Sequence, residues 1–385
     1  MFYFIKNFSI KNLMVSVALA IFLILTLWWL FLNPFSNIDS LVHSKYIWGS
    51  FYQLIAIWGG VCGLLISRSL GGFRSFLGKS ITLFSLGLLF QSLGQSVYSY
   101  YNLFSGVQAP YPSFGDIGYF GSVILYIFGV LYLIRVSGFK PSTNSLINKV
   151  QAIVIPLLML VFSYHIFLQK YEFDWADKLK VFLDFGYPLG QAFYVSIALL
   201  VLFLSRKSLG GVLRKPVLLL VFALVVQYIC DSNFLYHANA GTWYVGSLGD
   251  YLYAISYFIM TLAIIYMGIT FQKIRSENST ASAVHPESNT SNDKLFNQIL
   301  TEIIKRQARV GGNLAWEQAR KVSGITIKNE ATVDVTITGD PKEVIDELVY
   351  SYQNLFGDIA IEVSKNAVYY LIAELPKDQV PVSLK

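Results

Sequence analysis

Apolar residues along this chain gather in eight long runs, at roughly 13–32, 47–67, 80–98, 117–134, 150–168, 184–204, 216–236 and 250–271. Each is near the ~20 residues that an α-helix needs to cross the hydrocarbon core of a bilayer, so the pattern predicts eight transmembrane helices. After residue 275 the pattern changes. Residues 276–293 (SENSTASAVHPESNTSND) are polar and lack hydrophobic periodicity, which predicts a flexible linker with a mean reach of about 20–25 Å.

From 294 onward the spacing is that of a small α+β domain. Phe296, Ile299, Leu300, Ile303 and Ile304 mark one face of a helix that Gly311-Gly312 ends, and a short helix follows around 314–322. Ile325/Ile327 and Val333/Val335/Ile337 alternate as the two strands of a hairpin. Asp340-Pro341 reads as the N-cap and first-turn proline of a helix carrying Val344, Ile345, Leu348, Val349, Tyr352 and Leu355, stopped by Gly357. Residues 359–375 fit helix and strand equally. The expected organisation is therefore an eight-helix domain over 1–275, a linker over 276–293 and a cytoplasmic α+β domain over 294–385.

Charge gives the bundle its expected orientation. With the amino terminus inside, fourteen of the lysines and arginines before residue 277 fall in inner loops, and only Lys45, Lys170, Lys178 and Lys180 fall outside. The eight carboxylates of the same stretch, Asp39, Asp116, Glu172, Asp174, Asp177, Asp184, Asp231 and Asp250, all lie toward the outer side. This predicts a multi-pass plasma-membrane protein with both termini cytoplasmic and the first run kept as a signal anchor. The net charge of +6 is accounted for by those orientation signals lying against anionic lipid, so no nucleic-acid partner is expected. Cys62 and Cys230 are isolated and suggest neither a disulfide nor a metal cluster.

The membrane part carries an internal repeat. Ser-x-Gly-Asp-x-x-Tyr opens the fourth run (Ser113–Tyr119) and the eighth (Ser247–Tyr253), and upstream Gln95–Tyr100 corresponds to Asp231–Tyr236. Tyr46-x-x-Gly49 against Tyr187-x-x-Gly190 is a weaker match in the second and sixth runs. The pattern predicts two parallel four-helix halves meeting at a central interface.

Polar side chains inside the runs are one-sided. Gln53, Gln91, Gln95, Gln191, Gln227, Asp231 and Asn233 fall in the outer halves, with Asp116, Asp184 and Asp250 at the outer mouths. They predict an outward-facing pocket for an unknown small ligand, with Asp231, Gln95, Gln227, Gln91, Gln191, Asp116, Asp250, Tyr98 and Tyr236 as candidate lining. The competing reading makes the amides interhelical packing bonds and the three mouth aspartates helix caps. For Asp231 capping is unavailable, because it lies inside an apolar run. His43, His165 and His237 lack the spacing of a metal site, and no cofactor is expected.

The phrases Ala109–Asp116 (APYPSFGD), Phe185–Gly190 (FGYPLG) and Gly246–Asp250 (GSLGD) resemble the eight-helix sensor region found ahead of some bacterial diguanylate cyclases and histidine kinases. The resemblance covers roughly residues 10–272, with Pro112, Ser113, Asp116, Tyr187, Pro188 and Asp250 as the matching positions. It implies a membrane-embedded input module. The chain has no Gly-Gly-Asp-Glu-Phe signature, phospho-acceptor histidine segment or nucleotide-binding glycine boxes after it, so the tail is expected to contact another protein. The expectation is a sensor without catalytic activity of its own, with a small-molecule carrier and a membrane enzyme as the alternatives.

Overall fold

The computed structural model describes residues 10–32, 41–105, 109–136, 146–168, 175–204, 212–280, 292–330 and 333–385. Asp39, Lys170, Glu172 and Asp174 lie outside them, as do Lys6, Lys140, Arg206 and Lys207 of the fourteen inner-loop cations and most of the expected linker with its His285.

Among the described residues eight helical stretches are long and apolar enough to cross a membrane. They are α1 (Ile10–Phe31), α2 with α3 (Val42–Phe51 and Leu54–Ser69), α4 (Phe76–Tyr100), α5 (Gly115–Val136), α6 (Leu146–Ser163), α7 (Lys178–Leu204), α8 (Arg214–Asn239) and α9 (Leu248–Thr280). The second run is interrupted at Tyr52–Gln53, and α4 and α6 end in single π-helical turns at Tyr101–Ser105 and Tyr164–Leu168.

The helices close into a ring. α3 packs on α4, α4 on α5, α5 on α7, α7 on α8, α8 on α9, and α9 returns to α3. α1 lies outside the ring against α9, α2 and α3, and α6 lies outside it against α7. Glycines set several of these contacts. A Cβ at Gly118 of α5 would lie 2.3 Å from the Gly94 nitrogen and 2.6 Å from the Phe90 carbonyl oxygen, so α4 and α5 touch backbone to backbone. At the end of the ring nearer the tail, fully buried apolar side chains include Leu77, Ile81, Val130, Leu133, Val217 and Leu220.

The tail folds as its periodicity predicts. α10 (Asn292–Gly311) buries Phe296, Ile299, Leu300, Ile303 and Ile304, and α11 (Asn313–Ala319) follows. β1 (Ile325–Asn329) and β2 (Asp334–Ile337) pair antiparallel, with Ile325 opposite Ile337 and Ile327 opposite Val335. α12 (Pro341–Phe356) starts from Asp340, whose side chain accepts from the Lys342 nitrogen. Residues 358–372 are helical (α13, Asp358–Ile372), burying Ile359, Ala360, Val363, Ser364, Val368 and Leu371 at helical spacing. This resolves the ambiguous segment, whose β-branched and aromatic residues masked the period.

Two boundaries differ from the sequence reading. The linker begins later than 276, because α9 continues unbroken through Thr280; 33 residues make it about 50 Å long, well past the apolar run. Its polar residues extend the helix since no Gly or Pro intervenes before Pro286. The sixth helix begins at Lys178 rather than 184, where Asp177 accepts from the Lys180 nitrogen. Asp184 therefore lies inside α7 rather than at its start.

The tail is also docked on the bundle. α13 packs on α9, and α12 packs on α4 and α5. The Val212 and Leu213 nitrogens donate to the Arg309 and Val310 carbonyls, at 3.2 and 3.3 Å. Gly357 meets the Leu70–Gly71 turn so closely that a Cβ there would be 2.0 Å from the Leu70 oxygen. The tail thus touches the end of α3, the start of α8, and helices α4, α5 and α9, elements drawn from both halves of the chain.

Candidate functional site

The half of the ring away from the tail holds a network of amides, carboxylates and phenols. Asp231, in the middle of α8, is 6% exposed, and its Oδ1 accepts from Gln227 Nε2 (3.0 Å) and the Tyr253 hydroxyl (2.9 Å). Its Oδ2 accepts from the Tyr194 hydroxyl at 3.4 Å. A buried carboxylate is costly unless hydrogen-bonded, and here three neutral donors offset that cost. On α4, Gln95 Oε1 accepts from the hydroxyls of Tyr52 (2.8 Å) and Tyr119 (2.6 Å), and its Nε2 donates to Gly49 O beside the break in the second run (2.8 Å).

Similar bonds recur lower in the ring. Gln91 Nε2 donates to Ser122 Oγ (2.7 Å), while Gln227 Oε1 accepts from Ser256 Oγ (2.7 Å). Gln91 Oε1 also accepts from the Tyr257 hydroxyl (3.0 Å), a bond from α9 across to α4. The Tyr257 ring lies 6.1 Å from Tyr52 and 6.0 Å from Tyr253, so Gln95 and Asp231 are joined through aromatic rings rather than by a direct bond.

At the mouth, Asp116 Oδ2 accepts from the Ser113 nitrogen (2.7 Å) and Asp250 Oδ2 from the Gly246 nitrogen (2.6 Å). Both carboxylates sit in the first turn of a helix and reach back to a preceding backbone N–H, so they stabilise helix starts. Asp116 does more: its Oδ1 accepts from the Tyr187 hydroxyl (2.8 Å) and ties α5 to α7. Tyr111 donates to Asp184 at 2.7 Å, and partial burial together with that bond raises its phenol above the ordinary tyrosine range.

Of the candidates from sequence, the network holds Asp231, Gln95, Gln227 and Gln91, with Asp116 beside it and Tyr98 edge-on to Tyr119 at 5.6 Å. Asp250 is buried at the start of α9, where it serves as a helix start. Gln191 is 4% exposed on α7, and its Oε1 has no hydrogen-bond partner among the described residues. Tyr236 does not belong. It is 59% exposed near the end of α8, against His237, because it falls on the side of that helix turned away from Gln227 and Asp231. Sequence reasoning missed Tyr52, Tyr119, Tyr194, Tyr253 and Tyr257, which supply the donors. Tyr119 and Tyr253 are the tyrosines of the Ser-x-Gly-Asp-x-x-Tyr motif itself, so the signal was present; the other three carry none.

No group of three or more histidine, cysteine or carboxylate side chains among the described residues could hold a metal. Two shallow hollows lie elsewhere, one on the tail at Arg320, Ile325 and Lys328 and one on the outer surface of α7 at Phe182 and Phe185. Comparison of the chain with protein-family models, curated proteins and solved structures finds no match.

Proposed function

We propose that this chain is a multi-pass membrane sensor whose outer polar network receives a small ligand and whose docked tail passes the state of the bundle to a cytoplasmic partner. The observation that carries this reading is the arrangement of polarity and docking. A buried network of amides, phenols and a carboxylate sits in the half of the bundle away from the tail, the buried polar side chains of the other half are small hydroxyls such as Ser67, Ser80 and Thr82, and a tail domain rests on that end of helices from both halves.

The two-half organisation is supported by bonds at positions that the sequence repeat pairs. Gln91–Ser122 matches Gln227–Ser256, and Tyr119–Gln95 matches Tyr253–Asp231. In addition α5 of the first half packs on α7 of the second, as α9 of the second packs on α3 of the first. A pseudo-two-fold axis along the membrane normal accounts for both patterns. A relative shift of the halves would then alter the surface on which the tail rests.

The carrier reading rests on the same symmetry. It needs a polar path through the inner half, where Leu77, Ile81, Val130, Leu133, Val217 and Leu220 are wholly buried. The enzyme reading needs an activated nucleophile, and the groups bonded to Asp231 are an amide and two phenols.

Asp231→Asn tests the coupling, since it keeps size while removing charge. Amide hydrogen exchange of the whole protein in lipid nanodiscs is expected to change at the Leu70–Gly71 turn and in α13, at the far end of the bundle. Changes confined to residues around Tyr194 and Tyr253 would make Asp231 a local structural group and end the sensor reading.

Sidedness has its own test. Trp175 and Phe73 are 67% and 64% exposed, in loops expected outside and inside respectively. In intact cells an impermeant thiol reagent should label a cysteine at Trp175 and spare one at Phe73. The reverse pattern would invert the topology.

A further inference from the structure

One face of α7 carries Tyr187, Gln191 and Tyr194 a turn apart, the flanking tyrosines donating to Asp116 and Asp231. Between those two bonds Gln191 is buried, its carbonyl oxygen without a hydrogen-bond partner among the described residues. On α5, Tyr126 is 1% exposed, its ring stands edge-on to Tyr194 at 5.9 Å, and its hydroxyl likewise has no partner among the described residues. Burying an amide carbonyl and a phenol without partners is costly, and native interiors rarely leave such groups idle.

The surroundings state what would satisfy them. Among the described residues, each bond to the Asp231 and Asp116 carboxylates comes from a neutral group: a phenol, an amide, a serine hydroxyl or a backbone N–H. Two carboxylates that no described cation meets, an idle acceptor between them and walls of tyrosine rings complement a positive group with several N–H donors and a small apolar body.

We propose that the junction of α5, α7 and α8 between Asp116 and Asp231 binds a small organic ammonium ion, its N–H groups donated to Gln191 Oε1 and Tyr126 Oη. Asp116 lies in the first turn of α5 and Asp231 well inside α8, so the acceptors are spread along the helix axes from a helix start into the bundle. The inference rests on the sensor reading for its purpose, but it concerns binding alone.

The test uses the full chain in nanodiscs, with ethylammonium chloride titrated at constant ionic strength against sodium chloride, and ethanol as the neutral molecule of matching size. The thermal unfolding midpoint should rise saturably with ethylammonium and with neither control. Gln191→Leu removes the idle acceptor and no charge, so it should fold at least as well as the parent and need about tenfold more ethylammonium for half-saturation. Tyr126→Phe should weaken binding independently. No saturable shift with ethylammonium, an equal shift with sodium, or full binding in both variants would overturn the site. Saturable binding without any change in tail hydrogen exchange would leave the site standing and remove the sensor reading.

Discussion

Gly118→Ala is expected to destabilise the bundle far more than Gly121→Ala, three residues along the same helix. The added carbon at Gly118 would meet backbone on two sides, 2.3 Å from the Gly94 nitrogen and 2.6 Å from the Phe90 oxygen. Backbone cannot rotate away as a side chain can, so α4 and α5 must separate along their length. At Gly121 the nearest atoms belong to the Phe90 ring, at 2.7 Å, and the ring can swing aside. Overpacking a core typically costs about 1–3 kcal/mol, and a backbone clash belongs at or above the top of that range.

The separation would also reach the polar network, because the bonds Gln91–Ser122 and Tyr119–Gln95 both cross this helix pair. Their loss would leave two amides poorly satisfied in an apolar interior. Thermal unfolding of the two variants in the same detergent checks the expectation. Equal midpoints would mean that this close approach is not what joins α4 to α5.

Much of this architecture is legible in the sequence because its signals are long. Runs of some twenty apolar residues, a helical stripe such as Phe296–Ile304 and the Asp340-Pro341 start each sum over many positions or rest on one strong local rule. Three features are not legible for physical reasons. Residues 358–372 mix Ile, Val and Tyr with helix formers, and only packing on α10 and α12 decides between the periods. The extension of α9 past Phe271 is polar, so nothing in its hydropathy separates a helix from a linker. Docking of the tail depends on backbone meeting backbone at Gly357 and Leu70, a contact between positions distant in the chain.

The site divides the same way. Asp231, Gln227, Gln91 and Gln95 were visible as polar residues in apolar runs, since that cost has few innocent explanations. Their phenol partners were not, because tyrosine is also common at membrane interfaces and in cores. The exposed Tyr236 and the buried Tyr257 differ only in which side of a helix they occupy.

Gly357→Ala is expected to release the tail from the bundle while leaving the tail folded. Gly357 has φ +83° and ψ −167°, a region essentially reserved for glycine, where alanine costs of order 1–3 kcal/mol of strain. The control is Gly339→Ala, which has φ +114° with nothing within 4 Å of the added carbon and so brings strain without a clash. Only at Gly357 would the new methyl also press on the Leu70 oxygen and the Gly71 nitrogen of the bundle. The tail's own core, with Ile299 and Ile303 on α10 and Leu348 and Tyr352 on α12, lies elsewhere and should persist. Cysteines at Val212 and Arg309, whose backbones are hydrogen-bonded at 3.2 Å, report docking as the yield of a disulfide cross-link. That yield should stay at the parent level with Gly339→Ala and collapse with Gly357→Ala. A cross-link that survives Gly357→Ala would show that α13 on α9 and the Val212–Arg309 seam hold the tail by themselves, leaving the Leu70–Gly71 turn no part in the coupling proposed between the polar network and the tail.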